Sequence, residues 1–125
     1  MLAQPVSQPL QKLAAAPVLV SEIPAGFTGT KIVTLPATAR FHTLGGVRID
    51  FSNKSTTESA CYELMKTNAA AARFAKTAAQ VNGGSLFQVR AVAVGRFVVA
   101  VTATSASGAN ALLRMAVAHL KRSEN

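Results

Sequence analysis

The chain has 125 residues and half of them are apolar, enough for one domain to bury a core without metal or disulfide help and too few for two independent domains. Thirteen Lys and Arg against five Asp and Glu give a formal charge of +8, which places an acidic partner ahead of a basic one. Cys61 is the single cysteine and no window approaches the ~18 consecutive apolar residues of a membrane helix, so an intramolecular disulfide and a helical membrane span are both excluded.

Residues 1–30 read as an extended, Pro/Ala-rich N-terminal arm ahead of an α+β domain over 31–125. Pro5, Pro9, Pro17 and Pro24 among Ala and Gln fit the exposed stalk of a processed envelope protein and equally fit a disordered arm. The expected origin is extracytoplasmic or secreted, with the signal peptide not part of this chain. Within the arm, Ser7 to Ala16 has the signals of a short helix, with Ser7 as cap, Pro9 in the first turn, Leu10 and Leu13 on one side, and Pro17 as the stop. Val18 to Val20 and Lys31 to Leu35 are short β-prone runs expected at an edge or as covering segments.

Further along, Ala39, Phe41 and Thr43 alternate with Arg40 and His42, and Val47, Ile49 and Phe51 alternate with Arg48 and Asp50. Gly45 and Gly46 between them predict a hairpin. A three-residue loop, Leu44 to Gly46, aligns both apolar sets and sets Arg40 opposite Asp50, a pair worth a few tenths to about 1 kcal/mol. Ser55 to Glu58 has the form of a capping box, followed by a helical stripe of Ala60, Cys61, Leu64, Ala71, Ala75 and Ala78 that Asn82, Gly83 and Gly84 end. Leu86 to Val94 and Phe97 to Thr102 form a second hairpin about Gly95 and Arg96. Ser105 then caps a helix with the stripe Ala109, Leu112, Leu113, Ala116, Val117 and Leu120, and Lys121 and Arg122 in its last turn suit the helix dipole.

Displacing the sequence by 50 positions superposes Gly45 on Gly95, Arg40 on Arg90, Ser55 on Ser105 and Met65 on Met115, which suggests a doubled ββα unit. That period gives the second hairpin the same three-residue loop and turns Phe87, Val89, Ala91, Phe97, Val99 and Val101 toward the helices. The expected fold is an α+β two-layer sandwich in the order ββαββα, a mostly antiparallel four-stranded sheet with two helices on one face.

Groups able to do chemistry are few and scattered: two histidines, one thiol, one tyrosine and five carboxylates. His42 and His119 lack a neighbour at metal-ligand spacing, and Ser105 to Gly108 lacks both a Walker lysine and a Gly-x-Gly-x-x-Gly pattern. Cys61, placed near a helix start, lies on the apolar stripe, where a buried and inert thiol is expected. No catalytic residue, cofactor or metal is therefore assigned.

The expected binding surface is the sheet face away from the helices, with Arg40, His42, Arg48 and Arg90 at one side and Val92 and Val98 at the other. Exposed valines there call for cover by the N-terminal arm or by a second copy of the chain. Lys66, Arg73 and Lys76 on the first long helix and Arg114, Lys121 and Arg122 on the second are expected to be ordinary solvated helix faces, with a shared basic layer as the lesser alternative. The leading expectation is a non-catalytic binding or assembly module, extracytoplasmic, that engages a protein partner, itself or an anionic surface. Nucleic-acid binding through Arg and Lys phosphate contacts ranks second, because a sheet that stacks bases offers aromatics and Phe41, Phe51, Phe87 and Phe97 are placed inward. A small enzyme or ligand-binding protein with a cavity between sheet and helices is the third.

Overall fold

The structure, a computed structural model, describes residues 8–39, 42–80 and 86–124. Helix α1 (Gln8–Ala15) and a single 3-10 turn (Val20–Glu22) precede strands β1 (Gly29–Leu35), β2 (Thr43–Ser52) and β3 (Thr57–Met65). Helix α2 (Asn68–Ala79), the hairpin β4 (Gln88–Val94) and β5 (Phe97–Ala103), and helix α3 (Ala106–Ser123) follow. The five strands make one antiparallel sheet in the order β1-β2-β3-β5-β4. The α+β class and the antiparallel sheet agree with the sequence; the sheet has five strands rather than four, and its helices lie on both faces.

Thr43 to Ser52 runs as one strand where a hairpin was expected. Gly46 sits inside it because a Cβ there would lie 2.5 Å from the Tyr62 carbonyl oxygen, and Gly45 takes φ +135 at the irregularity where β2 shifts register against β3. The two glycines thus mark a bulge and a close strand approach, not a turn. The reversal comes later, at Asn53, whose Oδ1 accepts from the amides of Ser55 and Thr56 at 2.9 Å each. This side-chain turn occupies the residues expected to cap a helix. Thr57 to Met65 is therefore a strand with period two, burying Glu58, Ala60, Tyr62 and Leu64 on one face. Helix α2 starts only after Thr67, whose hydroxyl accepts from the Ala70 amide at 3.0 Å. The expected stop at Asn82 to Gly84 and the expected cap at Ser7 lie outside the described residues.

The second hairpin forms where it was predicted, but with a two-residue loop: Val94 pairs with Phe97 across Gly95, at φ +59, and Arg96. Compared with a three-residue loop this slides β4 by one residue, and a slip of one exchanges its two faces. Gln88, Arg90, Val92 and Val94 consequently share the face of Phe97, Val99 and Val101. The order ββα does occur twice, yet the equivalent caps are Thr67 and Ser105, 38 residues apart rather than 50, and the two helices go to opposite faces.

On one face, Val47, Ile49, Phe51, Ala60, Tyr62, Leu64, Phe97, Val99 and Val101 pack against Leu112, Ala116 and Leu120 of α3 and against Leu13 of α1. On the other, Met65 and Val98 pack against Ala71 and Ala75 of α2, which lies over the β4–β5 half of the sheet. The described part of the N-terminal arm is not extended. Its Leu13 has no exposed surface, and Val18 to Val20 leads into the 3-10 turn instead of a strand, since Glu22 folds back to accept from the Leu19 amide at 3.0 Å.

Candidate interaction surface

The two-residue turn and the unbroken β2 separate the residues expected to share one face. Arg40 lies outside the described residues. His42 is exposed in the loop before β2, with φ +58. Arg48 lies on the α2 side of the sheet, where Nε and Nη2 donate to the two carboxylate oxygens of Asp50 at 2.9 and 3.1 Å. Arg90 lies on the α3 side, with Nε donating to Asn110 Oδ1 at 3.1 Å. Val98 is buried beneath α2, whereas Val92 is exposed on the α3 side of β4, the last strand of the sheet among the described residues. The lesser alternative of one basic layer shared by the two long helices does not form, because α2 and α3 occupy opposite faces of the sheet. Cover is thus distributed differently from expectation: α2 takes Val98, Val92 stays exposed, and the arm lies on the face it shares with α3.

The placement of Val92 brings out a surface that the sequence did not announce. Helix α3 is 18 residues long and buries Leu112, Ala116 and Leu120. One position further round, Leu113 and Val117 form a second apolar row, only half-buried, that lines a groove with Val92 of β4. β4 is the last strand of the sheet among the described residues. The result is an open groove of about 440 Å³ lined by Val92, Leu113, Val117 and Ala118, with Arg114 and Lys121 on its rim and no carboxylate among the described residues that line it.

Two polar clusters elsewhere were candidates for chemistry. Glu22, buried, accepts from Arg122 through both carboxylate oxygens at 2.8 Å and lies 2.8 Å from Nδ1 of His119, and Arg122 also donates to the Pro17 carbonyl. Burial opposes the Glu22 charge, but Arg122, the Leu19 amide and His119 together outweigh it and hold the carboxyl down at about 2. Tyr62 donates to the Ala116 carbonyl nearby, at 2.8 Å. His119 and Glu22 are only 2% and 6% exposed, so the cluster is closed to a substrate and fastens the N-terminal segment to the end of α3. Sequence reasoning passed over Glu22, although it is the only acidic residue before Asp50 and a lone charge in an apolar segment calls for a partner.

Cys61 lies in a strand and not at a helix start, so no helix dipole favours its thiolate. Burial, followed by the neighbouring Glu63 charge, pushes its thiol up to about 12, and Sγ donates to Glu63 Oε1 at 3.8 Å. Burial likewise raises the Glu63 carboxyl. This pair keeps its thiol protonated and does not make a nucleophile.

No group of three or more His, Cys, Asp or Glu able to hold a metal occurs among the described residues, and no described helix is long and apolar enough to cross a membrane. Comparison with protein-family models, with curated proteins and with solved structures found no match.

Proposed function

We propose that this chain is a non-catalytic binding module that engages another protein through the groove between β4 and α3. The observation that carries this reading is where apolar surface is left exposed. Val92, one of six large hydrophobic side chains exposed among the described residues, lies with the half-buried Leu113 and Val117 and the exposed Ala118 in one contiguous apolar lining. Concentrated apolar exposure beside a strand edge marks a contact surface better than scattered single residues do. The cationic rim selects acidic partners, as the charge of +8 does over the whole chain.

Amide shift mapping tests this with two anionic probes, a random glutamate–tyrosine copolymer and a single-stranded oligonucleotide. The expected result is that the copolymer perturbs residues of β4 and α3. Perturbation by the oligonucleotide alone, spread over Lys31, Arg48 and Arg96, would replace the proposal with phosphate binding.

A further inference from the structure

We propose that the surface beneath the N-terminal arm is also an assembly site, and that the partner it fits is the arm of a second copy of this chain, given in exchange for its own. The exchanged element is residues 8–25, which carry α1 and the 3-10 turn. Three of its features lead there, and the first is how it is attached. The main-chain bonds of residues 16–27 close within the segment: the amides of Ala16, Glu22, Ile23 and Phe27 donate to the carbonyls of Lys12, Leu19, Val20 and Pro24 at 2.8 to 3.2 Å. Among the described residues, the first main-chain bond to the sheet is that of the Thr28 amide to the Ser52 carbonyl, at 3.1 Å. Ahead of it the body holds the arm by side chains, with Leu13 in the main core and Arg122 and His119 on Glu22. A segment whose backbone is satisfied locally can leave and redock without stranding amides or carbonyls in an apolar layer.

The second feature is complementarity. Leu13 has no exposed surface, so the apolar layer it closes does not stay bare in water when the arm lifts. Glu22 is the only acidic residue before Asp50, and it docks on Arg122 in a chain of +8. Every copy carries the same apolar anchor and the same carboxylate at the same separation. The arm of another copy therefore fits the vacated surface with identical contacts, and reciprocal exchange closes a two-fold dimer.

The third feature is the hinge. Ile23, extended at φ −103 and ψ 126, leads into a turn in which the Phe27 amide donates to the Pro24 carbonyl and Gly26 takes φ +87. Glycine adopts that conformation without strain, as the third position of a type II turn requires. Asn53 Nδ2 donates to the Gly26 carbonyl at 3.3 Å, and a Cβ on Gly26 would meet nothing within 4 Å. This turn directs the arm back over its own body. Opened, the chain from Ile23 to Phe27 reaches about 14 Å, enough to carry the arm toward a neighbour.

Since the docked contacts are the same in both forms, the balance between monomer and dimer rests on the hinge and on the effective concentration of a tethered arm, about millimolar for a short linker. Repulsion between two chains of +8 adds to the side of the monomer and is screened by salt.

Sedimentation equilibrium of the full chain up to about 1 mM, in about 0.5 M salt, tests the proposal. Gly26→Val strains the turn of the closed monomer by about tenfold in population, and exchange relieves that strain in both hinges of the dimer. Its dimer dissociation constant is therefore expected about a hundredfold below that of wild type, near 10 μM. Ala25→Val adds the same bulk at an exposed neighbour outside the left-handed region and should leave the dissociation constant unchanged. Deletion of Ala25 removes the turn without touching a docked side chain and should give the same dimer as Gly26→Val. In an equal mixture of isotope-labelled and unlabelled Gly26→Val, filtered nuclear Overhauser spectra should place the Leu13 methyls of one chain in the core of the other. Arm exchange is overturned by hinge variants that stay monomeric throughout, by a dimer whose Leu13 contacts remain within one chain, or by equal dimerisation of Ala25→Val.

Discussion

Glu22 shows how one side chain ties sequence-distant segments together. Its carboxylate is 97 residues from His119 and 100 from Arg122, and burial makes the charge tolerable only because both oxygens are paired. Arg122 keeps a third of its side chain in water, so the loss from breaking the pair falls below that for two fully buried charges. Glu22→Gln is expected to cost about 1 to 3 kcal/mol at neutral pH, measured by urea unfolding. The folded carboxyl titrates at about 2, below the 4.5 of an unperturbed one, so between those values the unfolded chain holds more protons than the folded chain. The contribution is therefore complete above 4.5 and disappears as pH falls toward 2. The gap between wild type and Glu22→Gln should close in that window, and a gap of the same size at pH 7 and about pH 3 would refute the account.

At the level of elements, the competition was between two local codes for one stretch of chain. Ser55 to Glu58 has the residues of a capping box, yet Asn53 captures the same amides for a turn, and Glu58 is buried as a strand residue whose Oε2 accepts from the Thr104 amide at 2.9 Å. Alanine-rich helical spacing over residues 60 to 78 hid a boundary at Thr67, because Ala60, Tyr62 and Leu64 satisfy a period of two as well as Ala60, Cys61 and Leu64 satisfy one near four. The second half was legible for the opposite reason. At β5 and α3, the β-branched run, the Ser105 cap and the dipole-matched last turn all agree, and the structure has both elements there. The helix start is testable by capping. Thr67→Ala is expected to cost about 1 kcal/mol and Ser55→Ala markedly less, since Ser55 Oγ only donates to Asn53 Oδ1 in an exposed turn. The reverse order in thermal or urea unfolding would return the helix start to Ser55.

For the molecule as a whole, the parity of one turn decides where function can reside. A three-residue loop between β4 and β5 would have put Arg90 and Val92 on the side of Arg48; the two-residue loop sends them under α3 and so creates the groove, a consequence no local pattern in β4 reveals. The same holds for the N-terminal arm. Its short helix was legible from Pro9, Leu10, Leu13 and Pro17, but its partner was not, because contact between α1 and the sheet depends on which face α3 leaves uncovered. With Leu13 wholly enclosed in the main core and Glu22 fastened to α3, the arm closes the same layer that α3 closes. Leu13→Ala should then cost about 2 to 5 kcal/mol, a large share of the 5 to 15 kcal/mol that holds an ordinary domain together. A chain beginning at Gly26 loses the Leu13 contact and the Glu22 pairing at once, so its melting temperature should fall below that of Leu13→Ala. If it melts with the full chain, residues 26–125 fold independently and the arm is an appendage; if it melts well below, the groove beside α3 depends on a helix that begins at Gln8.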